Sequence, residues 1–294
     1  VLDKVNDRLA ETLNRSSALV NEYALDLTVA GEAALGGGRA AMPFYGAGDL
    51  DVSSATGGPV TNADRASHRA ITEHLRSSRC ADRLLSEEGD APDTGMDQGR
   101  TWVVDPLDGT REFIDRIGEF SVMVGLAVDG RAILGAVYRP DPDVLYLGIA
   151  DEAAWRVDSA SSEPRVASLH LEEGAGNGLR FVRSRSHPDE RLQALEQSID
   201  PAQIILSGSV GTKCALIADG RADLYVHPVP YLKEWDTCAP EAVLRGAGGR
   251  VTDCQGDPLN YGKLNPAQPR GIFAARPEIW TRVAEIVFHN GKDL

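Results

Sequence analysis

Trp102-Val103-Val104-Asp105-Pro106-Leu107-Asp108-Gly109-Thr110 is the stretch on which the fold turns. Its three leading apolar residues read as a short, fully buried strand that ends at Asp105. Two aspartates at i and i+3 follow, with Pro106 fixing the backbone between them. In a turn that tight, both carboxylates can face one cation, and hard cations such as Mg²⁺ take oxygen ligands. The carbonyl of Leu107 can point at a second ion. Gly109 and Thr110 then open a helix whose free N–H groups can hold a phosphate. An ordinary Asp-rich turn with a helix cap would also spell Asp-Gly-Thr. That reading loses ground here because unpaired acids at the end of a wholly apolar strand are costly.

Working outward, the N-terminal thirty-odd residues read as a helix with a broad apolar stripe through Val5, Leu9, Leu13, Val20, Tyr23 and Leu27, broken at Gly36-Gly37-Gly38. Residues 44–58 read as a polar loop. A second helix begins near Thr61 or Asn62, both good N-caps, and runs to Leu75. Downstream of the central motif, 120–128, 132–138 and 144–149 read as an antiparallel meander with turns at Asp129-Gly130 and Pro140-Asp141. The Ser-, Glu- and Gly-rich stretch 158–178 marks a boundary between two halves, 1–158 and 159–294. Beyond it strands and helices alternate, closing with an amphipathic helix over 277–288. The pattern predicts a layered α/β (α+β) architecture.

The 294-residue chain can bury a substantial core, and its composition is ordinary for a globular protein. A net charge of −14 makes it a poor partner for nucleic acid or anionic membrane, so an anionic substrate would need local cations to overcome the field. Only five lysines are present, at positions 4, 213, 233, 263 and 292. Cys80, Cys214, Cys238 and Cys254 show no zinc-ligand spacing and read as reduced, mostly buried thiols of a cytoplasmic protein. No apolar run is long enough to span a bilayer.

Two further acidic segments matter. Ser86-Glu87-Glu88-Gly89 follows an apolar pair and could complete a metal site, although in isolation it reads as a solvated turn. Glu234-Trp235-Asp236-Thr237-Cys238 places Asp236 at a helix start, where it could simply be a cap. The acids come from three distant segments, each at a junction between elements, where α/β folds place active sites. One phosphatase class, the haloacid-dehalogenase-type enzymes, also uses Asp-Gly-Thr, with its nucleophile two residues before the second aspartate. Pro106 stands there and cannot serve, which disfavours a phosphoaspartyl route and favours direct attack by a metal-activated water.

The runs Trp102 to Phe113 and Trp235-Asp236-Thr-Cys-Ala-Pro-Glu241 resemble the two signatures of the inositol-monophosphatase-like, lithium-sensitive phosphatases. Ser86-Glu87-Glu88-Gly89 and Val60-Thr61-Asn62-Ala63-Asp64 resemble that family's other two active-site segments. All four occur in family order across roughly the whole chain. Arg111-Glu112-Phe113, Ser184-Arg185-Ser186-His187, Gly208-Ser209-Val210-Gly211-Thr212-Lys213 and the lysine at 233 are most similar to the 3′(2′),5′-bisphosphate nucleotidase branch. Ser209 departs from members that carry glycine at that position.

The resemblance implies an αβαβα sandwich and two or three Mg²⁺ ions held by Glu87, Asp105, the Leu107 carbonyl, Asp108 and Asp236. It implies that Asp64 and Thr110 orient and deprotonate the attacking water, and that the Gly109 and Thr110 amides hold the phosphate. Ser184, His187, Ser209, Lys213 and Asp236 would line the nucleotide side. The expected reaction is hydrolysis of the 3′-phosphate of a bisphosphate nucleotide such as adenosine 3′,5′-bisphosphate, by a monomer or homodimer. The alternatives are an inositol monophosphatase of the same family and a non-catalytic, anion-sensing or scaffold protein on the same fold. Asp64, Glu87, Asp105, Asp108, Thr110 and Asp236 are all present, which speaks against the last.

Overall fold

The computed structural model describes residues 18–47, 50–55, 58–79, 81–90, 95, 97–159, 164–172, 178–185 and 190–290. Helix α1 (Ala18–Ala41) is followed by a hairpin of β1 (Val52–Ala55) and β2 (Gly58–Thr61), then by α2 (Asn62–Ser78). Seven strands form one sheet in chain order: β3 (Arg83–Ser86), β4 (Arg100–Asp108), β5 (Ser121–Val128), β6 (Arg131–Arg139), β7 (Val144–Ile149), β8 (Ala153–Asp158) and β9 (Arg165–Leu169). Only β3 and β4 are parallel; the remaining neighbours are antiparallel. The one-turn helix α3 (Thr110–Ile114) lies between β4 and β5.

The second half alternates: β10 (Arg180–Ser184), α4 (Glu190–Ile199), β11 (Gln203–Ser207), α5 (Val210–Ala218), β12 (Leu224–His227), α6 (Glu234–Gly246), β13 (Arg250–Thr252), β14 (Ile272–Ala275) and α7 (Pro277–Asn290). Its five strands form a second sheet in the order β11-β10-β12-β14-β13. The expected alternation of strands and helices is present, and α6 has Asp236 in its first turn.

Alternation along β4 decides the layering, because successive side chains leave opposite faces of a sheet. Trp102 and Val104 join Leu27, Leu35 and Ile71 of α1 and α2. Val103 points the other way and joins Ile217 of α5, Val243 of α6, and Val182 and Tyr225 of the second sheet. The far face of that sheet packs Phe181 and Phe273 against Leu195 of α4 and Ile279 of α7. The result is helices, sheet, helices, sheet, helices, the αβαβα sandwich expected from the sequence.

Two local expectations change. The triple glycine does not end α1, which runs on to Ala41. A Cβ at Gly37 would sit 2.7 Å from Ile71, and one at Gly38 would sit 2.4 Å from the Tyr138 ring. These glycines let α1 approach α2 and β6, and that packing offsets their poor helix propensity. Within the expected loop at 44–58, β1 and the start of β2 form a hairpin. In the stretch read as a boundary between two halves, β9 pairs with β8. Cys214, Cys238 and Cys254 are free and buried, as expected, whereas Cys80 lies outside the described residues. No helix among the described residues is long and apolar enough to cross a membrane.

Candidate active site

Strand β4 does not stop at Asp105 but continues through Asp108, with an irregularity in between. Asp105 pairs with Met123 and Asp108 with Ser121, so three steps along β4 match two along β5. That is a bulge of one residue, placed where Pro106 has no N–H to give the ladder. In a regular strand, residues three apart face opposite ways. The extra residue brings both aspartates to one side. Asp105 Oδ1 also accepts the Leu107 N–H at 3.0 Å, and Ser67 Oγ of α2 donates to the Pro106 carbonyl at 2.7 Å, pinning the bulge from behind.

The third acid comes from α6. Asp236 accepts the Lys233 N–H at 2.6 Å, an N-terminal capping contact, so the cap reading of this residue holds. The same side chain also faces β4. Carboxylate oxygens of Asp105, Asp108 and Asp236 all lie within 4.8 Å of one another. Burial pushes all three carboxyls above their ordinary range, Asp236 to about 7, and the Asp108 charge adds to the rise at Asp236. Glu87, at the end of β3, joins them: close packing round its carboxyl and then the Asp236 charge push it up to about 8. Glu87 borders the open cleft, so solvent weakens that push without reversing it. An all-oxygen set of mutually repelling carboxylates fits a hard divalent cation.

Asp64 approaches from the first turn of α2. Its Oδ2 accepts the Thr61 N–H at 2.8 Å and the Thr61 hydroxyl at 2.6 Å, while Thr61 Oγ1 accepts from Ala63 N at 3.1 Å. This reciprocal cap fixes the carboxylate. Its other oxygen, Oδ1, lies 3.0 Å from Thr110 Oγ1. Thr110 Oγ1 lies equally 3.0 Å from the Leu107 carbonyl, the oxygen expected to face a cation. Burial raises the Asp64 pKa, opposed by its hydrogen bonds from Thr61 and Thr110. Gly109 stands before α3 at φ 93°, a left-handed conformation for which glycine is the natural residue.

The segment 208–213 serves the acids directly. Ser209 Oγ donates to Asp108 Oδ2 at 2.6 Å, and Gly211 N donates to the same oxygen at 3.0 Å. Ser209 Oγ also lies 2.7 Å from Ser121 Oγ and accepts from Thr212 N at 3.0 Å. That hydroxyl is fully engaged in holding Asp108. Lys213 borders the cleft but is only 3% exposed. Its ammonium donates to the Gly208 carbonyl at 2.9 Å and lies 5.1 Å from the centre of the Tyr225 ring.

These residues share one cleft of about 640 Å³. Glu87, Asp105, Leu107, Asp108, Gly109, Thr110, Ser184, Ser209, Lys213 and Asp236 all line it. Asp64 stands behind Thr110. His187 lies outside the described residues. The cleft also takes in Glu88, Glu112 and Trp235, which the motifs contain without a role, and His227 and Tyr231, which lie outside every motif. Glu119 was missed as well. It accepts the Gly208 N–H at 2.9 Å and pairs with Arg185 at 2.6 Å. No motif marks it, and only the packing of β5 against 208–213 shows its use.

Comparisons with known proteins show what the chain is similar to. The 3′(2′),5′-bisphosphate nucleotidase CysQ of Shigella flexneri is 42% identical over 228 residues, which is 76% of this chain and 89% of that protein. Its namesake in Escherichia coli K12 is 40% identical over the same length. The solved structure of CysQ from Bacteroides thetaiotaomicron, described as a bacterial member of the inositol monophosphatase family, is 31% identical. It superposes with a TM-score of 0.71 over 85% of this chain and 97% of that one. The model of the inositol monophosphatase family matches residues 26–289, a span that includes every acid of the cleft. With its sandwich, its bulged Asp105–Asp108 strand and that match, the chain belongs to the inositol monophosphatase family.

Proposed function

We propose that this chain is a Mg²⁺-dependent 3′(2′),5′-bisphosphate nucleotidase that removes the 3′-phosphate of adenosine 3′,5′-bisphosphate. The observation that carries the reading is the meeting of Asp105, Asp108 and Asp236 within 4.8 Å on a cleft that also holds Thr110. The names of its relatives supply the substrate class.

Glu87, Asp105, the Leu107 carbonyl, Asp108 and Asp236 would hold the cations, and every donor is an oxygen, as Mg²⁺ requires. When bound, such cations neutralise a phosphate and make a water acidic enough to attack it. The chain's own groups do the rest. Asp64, fixed by Thr61 and with its pKa raised by burial, accepts the Thr110 proton at Oδ1. The Thr110 oxygen then orients a water and takes its proton in the same step in which the hydroxyl's own proton moves to Asp64. The Gly109 and Thr110 amides are placed to hold the phosphate. Ser209 acts by holding Asp108, and Lys213 adds a buried positive charge close to that carboxylate. Ser184 lines the substrate side, and His187 is assigned there from the sequence motif.

Phosphoryl transfer needs positioning and charge neutralisation more than a covalent nucleophile, so this residue set suffices. The test is a parallel assay of adenosine 3′,5′-bisphosphate and inositol 1-phosphate, each with and without Mg²⁺. The expected result is Mg²⁺-dependent phosphate release with a clear preference in kcat/KM for the nucleotide. A preference for inositol 1-phosphate would overturn the substrate, and release that ignores chelation would overturn the metal role.

A further inference from the structure

The loop between β12 and α6 carries Pro228-Val229-Pro230-Tyr231-Leu232-Lys233. Val229 is 2% exposed and Leu232 is 6% exposed, so the loop is anchored in the core on either side of Tyr231. Two prolines stiffen the approach by fixing their own φ angles. Leu232 also accepts the Gln268 N–H through its carbonyl at 2.8 Å. On this fixed support Tyr231 stands 68% exposed, the most open large hydrophobic residue among the described residues. A mobile loop could fold such a ring away, but this one is held out.

Tyr231 borders the same cleft as the acids, which Tyr225, His227 and Trp235 also line. Tyr225 and Trp235 lie close to the acids, Tyr225 within reach of the Asp108 and Asp236 charges and Trp235 next to Asp236 in α6, whereas Tyr231 offers an exposed ring at the cleft border. A flat apolar face beside a cation-and-phosphate site suits a substrate that joins a phosphate to a planar ring. An inositol phosphate has no such ring.

We infer that Tyr231 is a specificity-determining residue that stacks on the nucleobase of the substrate. This rests on the nucleotidase reading given above. Stacking of a base on an aromatic side chain is tolerant of base identity and is strong enough to appear in KM. The ring contributes to binding and not to the phosphate chemistry, so its loss acts on KM and leaves kcat in place.

The test uses the Mg²⁺-loaded enzyme and its Tyr231→Ala, Tyr231→Phe and Tyr231→Trp variants. For adenosine 3′,5′-bisphosphate, Tyr231→Ala is expected to raise KM by about tenfold, whereas Tyr231→Phe stays within about twofold of the parent. For inositol 1-phosphate all variants should match the parent. Tyr231→Trp should gain a fluorescence component, absent from the parent, that adenosine 3′,5′-bisphosphate quenches and inositol 1-phosphate does not. If the parent hydrolyses the nucleotide but Tyr231→Ala keeps its KM, or if both substrates suffer equally, the stacking role is wrong and the nucleotidase reading stands. If the parent does not act on the nucleotide at all, both fall together.

Discussion

Thr110 Oγ1 and Asp64 Oδ1 lie 3.0 Å apart although 46 residues separate them in the chain. A hydroxyl has one proton, and Asp64 is the better acceptor because Thr61 has already fixed its orientation. The two residues therefore work as one unit. Thr110→Val should lower kcat by about 10²–10³ with little change in KM, and Asp64→Asn by a similar factor. Thr110→Ser should keep most activity. In the double variant the losses should fail to multiply, because either change already breaks the relay. Multiplying losses would show that the two act separately.

The acid cluster sets how metal-free protein responds to pH. Glu87 is pushed up to about 8 by packing and the Asp236 charge, and Asp236 to about 7 by burial and the Asp108 charge. Both carboxyls stay protonated in the folded state over a range where the unfolded chain has released its protons. The folded state then binds more protons, so stability falls as pH rises through that interval, from the ordinary carboxylate range to about 8. Thermal melts in chelator should show Tm dropping between about pH 5 and about pH 8, and Glu87→Gln should flatten the slope. Mg²⁺ displaces the same protons, so the Tm gain on adding it should grow with pH. A chelated Tm slope unchanged by Glu87→Gln would contradict the raised pKa.

Much of this site could be read from residue types in order. Asp64, Glu87, Asp105, Asp108 and Asp236 stand at element junctions, and chemistry restricts what such acids can do there. What could not be read depends on distance. The bulge that turns Asp108 to the side of Asp105 is a register relation with Ser121 and Met123. The engagement of Ser209 with Asp108 depends on a loop 101 residues away. Lys213 was expected on the nucleotide side, and it does border the cleft, but its burial against Gly208 and Tyr225 depends on which side of α5 it faces, which a motif does not give. Gly36-Gly37-Gly38 read as a break because glycine propensity is local, whereas the Tyr138 ring that needs the gap comes from β6.

That triple glycine yields a prediction of opposite signs. A Cβ at Gly36 meets nothing within 4 Å, whereas at Gly38 it meets the Tyr138 ring at 2.4 Å. Gly36→Ala should stabilise the protein by about 0.5–1 kcal/mol through helix propensity and reduced freedom of the unfolded chain. Gly38→Ala should destabilise it by about 1–3 kcal/mol through overpacking. Urea unfolding of both variants checks the pair. Equal signs would mean that the helix is not packed as described.

Lys213 lies beneath the cleft with its ammonium on the Gly208 carbonyl, and its charge acts on Asp108. Lys213→Met should therefore lower kcat for adenosine 3′,5′-bisphosphate and for inositol 1-phosphate by similar factors, about tenfold. A KM increase confined to the nucleotide would instead put the ammonium in contact with that substrate, on the nucleotide side that the family resemblance implies.

Glu119 connects the outer surface to the proposed metal ligands without touching them. Its burial raises its pKa, but the Arg185 guanidinium and the Gly208 N–H outweigh that and leave the carboxyl below its ordinary value. The ionised carboxylate therefore holds Gly208 throughout neutral pH, and the contact is lost only as pH falls through that depressed pKa. Gly208 leads directly into Ser209 and Gly211, the two donors that fix Asp108. Groups behind a ligand tune metal affinity by about 10–100-fold when removed, and Glu119 stands one step further back. Glu119→Ala should accordingly raise the Mg²⁺ concentration for half-maximal activity by about threefold to tenfold, while kcat at saturating Mg²⁺ changes little. Arg185→Ala should do the same more weakly, because Arg185 is partly open to solvent and its pairing is screened. A loss of kcat that saturating Mg²⁺ does not restore would mean that Glu119 acts on the substrate and not on Asp108.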